Sequence, residues 1–167
     1  MGIINRINKS PINARTKTQL RNVLRNVSRV SYLSADTTGT ENTTLGNVSA
    51  TELRLPVYKG TRYFVSANIY VVHTTNNGSK VGITGPASAT TIEGVASANG
   101  VPLIYDAYTD VCDVAAGGAL YNNAVFNFYY VPSADGTLIV QSAESTNHAD
   151  SITVKEGSWL RVDEVAV

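Results

Sequence analysis

Residues 61–72 read Thr61-Arg62-Tyr63-Phe64-Val65-Ser66-Ala67-Asn68-Ile69-Tyr70-Val71-Val72. Tyr63, Val65, Ala67, Ile69 and Val71 occupy alternate positions, and in a strand alternate side chains share one face. Arg62, Phe64, Ser66, Asn68, Tyr70 and Val72 take the other. The pattern predicts a long central strand with one face in a core. The same reading extends outward in both directions. Residues 52–58 predict a strand at an edge or bulge, because Pro56 has no amide hydrogen to donate. Residues 80–84, 101–106, 109–114, 119–131, 137–143, 151–154 and 158–165 predict further strands, divided by turn signals such as Asn76-Asn77-Gly78, Gly117-Gly118, Asp135-Gly136 and Glu156-Gly157. The small polar run 87–100 is expected to be a surface loop in part. Eight or nine strands of this spacing predict an all-β fold, an antiparallel sandwich of two sheets with jelly-roll topology.

Composition agrees with that fold. The chain has 167 residues, enough for one domain with a real core. Its 18 Thr, 15 Asn and 14 Ser, with 13 Gly and 9 Tyr, favour strands and turns over long helices. A single cysteine excludes a disulfide framework and any multi-cysteine zinc site. No apolar run approaches the roughly 18 residues that span a bilayer, and the N-terminus lacks the apolar core of a signal peptide. The expectation is a soluble chain without a cleaved leader and without a membrane partner.

A formal net charge of zero conceals a division. Residues 1–29 hold Arg6, Lys9, Arg15, Lys17, Arg21, Arg25 and Arg29 and no acid, whereas the rest of the chain holds 6 basic and 13 acidic residues. A basic arm on an acidic body suits docking against something negative. Ile3, Ile4, Ile7 and Ile12 add apolar side chains that a merely solvated tail would not need. Leu20, Val23, Leu24, Val27 and Val30 then fall at the spacing of one helix face, so residues 17–30 predict a short helix that needs a partner or bundling to bury its stripe. Seven cations could neutralise phosphates, but no aromatic residue is interleaved for stacking, so nucleic acid is the weaker partner. The organisation predicted is an anchoring arm at 1–30, a linker at 31–44 and a β-sandwich domain at 45–167.

Several segments carry a resemblance: Leu45 to Val48, Gly60-Thr61-Arg62-Tyr63, Val81-Gly82-Ile83-Thr84-Gly85-Pro86, Gly136-Thr137-Leu138-Ile139-Val140-Gln141-Ser142-Ala143, and Val154-Lys155-Glu156-Gly157-Ser158-Trp159-Leu160. Together they resemble the jelly-roll domains, similar to tumour necrosis factor and complement C1q heads (TNF/C1q-like), of bacteriophage capsid-decoration, head-fibre and tail-fibre proteins. The resemblance covers about residues 43–165. It implies a homotrimer on the outer capsid surface of a virion assembled in the host cytoplasm, with the major capsid protein as partner. The arm then stands where such proteins carry a capsid anchor. The absence of a long repetitive shaft favours a compact cement protein over a fibre tip, whose head would bind a host glycan or receptor.

Candidate chemistry is sparse. His73 and His148 stand far apart in sequence without further ligands at metal spacing, so no metal or other cofactor is expected. Cys112 reads as a small buried hydrophobe. Asp106, Asp110 and Asp113 could join a cation site between subunits, although turn capping is the commoner use of such aspartates. Nothing pairs Asp106 with Glu93 or Glu144 for glycoside hydrolysis, and no nucleophile-elbow, Walker or dinucleotide fingerprint occurs. No enzyme is expected. Asn26, Asn42 and Asn47 match a glycosylation pattern by chance. Aromatic residues carry more information: alternation sends Phe126 and Phe128 to one side of their strand and Tyr129 to the other. The candidate shell-binding residues are therefore Ile3, Ile4, Arg6, Ile7, Lys9, Ile12, Arg15, Lys17, Arg21, Arg25 and Arg29. The candidate oligomer interface is Leu20, Val23, Leu24, Val27, Tyr121, Tyr129 and Trp159.

Overall fold

A computed structural model describes residues 28–38, 43–73, 78–86, 89–114, 122–145 and 152–165. Among them thirteen strands and no helix occur. In chain order they are β1 (Arg29–Tyr32), β2 (Thr37–Thr38), β3 (Gly46–Asn47), β4 (Arg54–Val57), β5 (Tyr63–His73), β6 (Ser79–Thr84), β7 (Ala89–Ala98), β8 (Val101–Tyr105), β9 (Cys112–Val114), β10 (Asn122–Pro132), β11 (Gly136–Glu144), β12 (Ile152–Val154) and β13 (Trp159–Glu164). One sheet has eight strands and runs β1-β13-β5-β10-β7-β8, with β12 beside β5 and β2 beside β12. The other has five and runs β3-β11-β6-β9, with β4 also on β11. The strand pairs are antiparallel throughout. The inner faces of the two sheets share one hydrophobic core, and the fold is a β-sandwich.

The core follows from alternation. Tyr63, Val65, Ala67, Ile69 and Val71 of β5 are all fully buried, as the sequence predicts. They lie opposite Tyr130, Phe128, Phe126, Ala124 and Asn122 of β10, so two long inward rows run side by side at the centre of the larger sheet. Leu55 and Val57 of β4, Val81 and Ile83 of β6, and Leu138 and Val140 of β11 close on them from the smaller sheet. Pro56 lies on β4, which takes an edge position along β11 and there needs no outward donor.

Three expectations need correction. The run 87–100 contains β7, ten residues long and held between β10 and β8, because its inward positions Gly94, Ala96 and Ala98 are small where Phe126, Phe128 and Tyr105 already fill the space. A Cβ at Gly94 would run into the Asn127 carbonyl and the Phe128 backbone, so glycine is what lets β7 close on β10. Among the described residues the sheet begins at Arg29, inside the stretch assigned to arm and linker. β1 pairs with β13 and β2 with β12, and Asp36 ties the connection down by accepting hydrogen bonds from the Lys155 ammonium and the Glu156 amide. Those bonds, the lysine's first, hold the Asp36 carboxyl below the usual carboxylate range. The helix expected over 17–30 does not reach its end: Arg29 and Val30 are strand, and residues 17–27 lie outside the described residues.

Candidate functional surface

The outward face of the eight-stranded sheet is built from the residues that alternate with the core. Strand register sets it out in rows. Val30 of β1, Arg161 of β13, Ser66 of β5, Asn127 of β10, Val95 of β7 and Ile104 of β8 form one row; Tyr32, Trp159, Asn68, Val125, Ser97 and Pro102 form the next. Six large apolar side chains are exposed among the described residues, and five of them, Val30, Tyr32, Val95, Ile104 and Tyr129, lie on this face. Their placement is uneven. Val30, Tyr32 and the half-buried Trp159 gather at the β1 margin, and Val95 and Ile104 at the β7–β8 margin. Exposure reaches 60% at Tyr32 and 75% at Ile104.

Between the margins polar Ser66, Asn68, Asn123 and Asn127 stand among Phe64, Val125 and Tyr129. Asn68 donates to the Tyr70 hydroxyl at 3.0 Å, and the Asn123 amide donates to the Asn68 carbonyl at 3.4 Å. Tyr129 packs edge-on against Phe64 of the paired strand, with ring centroids 5.3 Å apart, and the Arg62 guanidinium stands 4.6 Å over the tyrosine ring. Arg161 and Asp163 pair at 2.9 Å two residues apart. The sequence-predicted interface residues Tyr129 and Trp159 are thus both on this face. Tyr32, Val95 and Ile104 join them unforeseen, and Val30, expected in a helical stripe, joins them from a strand; their signal was an apolar residue on the outward phase of a strand. Tyr121, Leu20, Val23, Leu24 and Val27 lie outside the described residues.

Of the predicted shell-binding residues, Arg29 alone is described, and it belongs to the body. Its guanidinium donates to the Pro56 carbonyl at 2.7 Å, lies 3.5 Å from the Glu164 carboxylate and stands over the Tyr58 and Tyr63 rings. Arg29 is thus engaged by β4, β13 and the two tyrosine rings within the body. Ile3, Ile4, Arg6, Ile7, Lys9, Ile12, Arg15, Lys17, Arg21 and Arg25 lie outside the described residues.

The remaining candidates separate. Asp110 accepts from the amides of Asp106 and Ala107, at 2.9 and 2.8 Å, and those bonds hold its carboxyl below the usual range. It caps a turn. Asp113 lies apart on β9, where Ser145 donates to it at 3.4 Å. No group of three His, Cys, Asp or Glu among the described residues is placed to hold a metal ion. Cys112 is fully buried, and burial pushes its thiol up to about 12. The side chain of His73 and the whole of His148 lie outside the description. A shallow cleft of about 380 Å³ opens between the start of β7 and the 106–108 loop, lined by Thr91, Glu93, Asp106 and Tyr108 among others. The Tyr108 hydroxyl is itself engaged with that of Tyr130. Set against models of known protein families and against characterised proteins, the sequence matches none.

Proposed function

We propose that this chain is a virion structural protein, a cement protein that decorates the outer surface of a phage capsid as a homotrimeric jelly-roll knob. The observation that carries the reading is the division of charge at β1. Upstream of Arg29 stand six cations and no acid; from Arg29 onward stand seven cations and thirteen acids. A cationic, isoleucine-bearing segment therefore precedes β1, the first strand among the described residues. Electrostatic attraction and burial of Ile3, Ile4, Ile7 and Ile12 in an acidic groove of the major capsid protein would act together, and several linked arms turn a weak contact into avid binding.

Strand order supports the jelly roll. Without the short β2, β3 and β12 and the β7–β8 hairpin, eight strands remain. The first, eighth, third and sixth of these are neighbours in one sheet, and the second, seventh, fourth and fifth in the other. Nested Greek keys give that interleaving. The exposed apolar side chains of the larger sheet support contact between copies, because a monomer rarely leaves such a set uncovered on one face.

The test is binding to undecorated capsids by the full chain and by a chain lacking residues 1–27, which keeps β1 intact. The expected result is that the truncated protein associates into the same number of chains in solution and no longer cosediments with capsids. Cosedimentation of the truncated protein would sink the proposal. The acidic cleft beside Tyr108 favours a second reading, a fibre head whose carboxylates accept hydrogen bonds from sugar hydroxyls. Glycan binding by the full chain, abolished by Asp106→Asn, would replace the first reading with this one.

A further inference from the structure

The β7–β8 hairpin turns on Asn99 and Gly100, the two residues between the paired Ala98 and Val101. Both take positive φ, 49° and 81°, and both are exposed. That is the type I′ turn for which Asn-Gly is the favoured sequence. The same dipeptide carries a chemical liability. Glycine has no Cβ to shield its main-chain nitrogen, so the Gly100 nitrogen can attack the side-chain carbonyl carbon of Asn99. A bond forms between them, the carbon–nitrogen bond of the side-chain amide breaks, and ammonia leaves with the proton of the Gly100 nitrogen. Water, the only co-reactant, then opens the five-membered succinimide to aspartate or isoaspartate.

In the closed hairpin the Asn99 side chain is held elsewhere. Its Nδ2 donates to Asn122 Oδ1 at 2.9 Å, and its Oδ1 accepts from the Asn123 amide at 3.1 Å. The Asn99 main-chain amide donates to the Asn123 carbonyl at 3.0 Å. Asn122 is itself anchored, 7% exposed and opposite Val71 of β5. Because β7 lies between β10 and β8, these bonds draw the side chain to the β10 side of the turn, whereas Gly100 leaves toward β8. We infer that Asn99 is a deamidation site gated by this amide latch: the closed hairpin keeps it inert, and conversion proceeds from a hairpin that has opened away from Asn122 and Asn123. Such an opening costs less than global unfolding, since β8 ends the strand path of its sheet. Either product lacks the donor that serves Asn122 Oδ1, and isoaspartate adds a main-chain carbon to a two-residue turn. The change is one-way and falls on the hairpin that carries Val95 and Ile104. Nothing in it depends on a capsid or on a second copy.

Trypsin and chymotrypsin together release residues 81–105, in which Asn99 is the only asparagine, so mass spectrometry reads its conversion directly. The full chain is held at mildly alkaline pH, folded in one arm and unfolded by urea in the other. The expected result is conversion in urea and conversion at least about fivefold slower in the folded chain, the factor that two ordinary hydrogen bonds supply. Asn122→Leu, similar in shape, removes the acceptor and should convert about two- to tenfold faster than the folded wild type while circular dichroism shows it folded. Asn122→Ala repeats the test if the leucine variant fails to fold. Equal rates in folded and unfolded wild type overturn the gate. A folded variant as slow as the wild type overturns the latch as its cause, and an unfolded chain that keeps its amide overturns the site itself.

Discussion

Tyr105 shows how one residue completes a sheet. β9 pairs with β6 only from Ser79 to Val81, so the main chain of Ile83 has run past its strand neighbour on that side. The Tyr105 hydroxyl takes the missing place: it donates to the Ile83 carbonyl at 2.9 Å and accepts from the Ile83 amide at 3.3 Å. Both groups are buried, and burial raises the phenol far above its ordinary range, which favours the protonated, donating form. Tyr105→Phe keeps the ring against Phe126 and Phe128 but leaves two main-chain groups unsatisfied. The expected cost is about 1–3 kcal/mol, read from the urea midpoint at unchanged slope. Loss of less than about 0.5 kcal/mol would mean that water replaces the hydroxyl.

Among elements, β7 is the test of how small residues direct packing. Gly94→Val should cost on the order of 3 kcal/mol in thermal or urea unfolding, because the added carbons meet β10 backbone that cannot yield. Ala98→Gly, at a site with no such clash, should cost far less. The same strand marks the limit of what was legible beforehand. β5 was readable from 61–72 because apolar residues recur at every second position, and β10 from 119–131 because that run is dense in aromatic residues. β7 was not, since alanine and glycine contribute little to an alternation count, and their smallness makes sense only opposite Phe126, Phe128 and Tyr105 from other parts of the chain. β1 was hidden by Arg29, which reads as one more arm cation until Pro56 and Glu164 are beside it. Tyr129 could be assigned to an outer surface from phase alone, whereas Trp159 read as either core or interface. That they share it with Val30, Tyr32, Val95 and Ile104 depends on which strands become neighbours, and Tyr32 and Trp159 are paired across more than a hundred residues.

For the whole molecule, the charge division has a chemical consequence beyond docking. Glu93 and Asp106 are exposed in a stretch, residues 81–154, without a lysine, so a carbodiimide, which fuses a carboxylate to an amine, must take the amine from another part of the chain or from another copy. In the homo-oligomer proposed above, Lys9 and Lys17 of the arm are amines that another copy can offer. Mixing chains of natural and heavy isotope composition before treatment should then yield amide-linked peptide pairs of mixed mass joining Glu93 or Asp106 to Lys9 or Lys17; pairs of uniform mass alone would mean that each arm lies on its own body. The lysine-free stretch thus acts as a built-in reporter: any amide bond formed there records the approach of an amine from elsewhere.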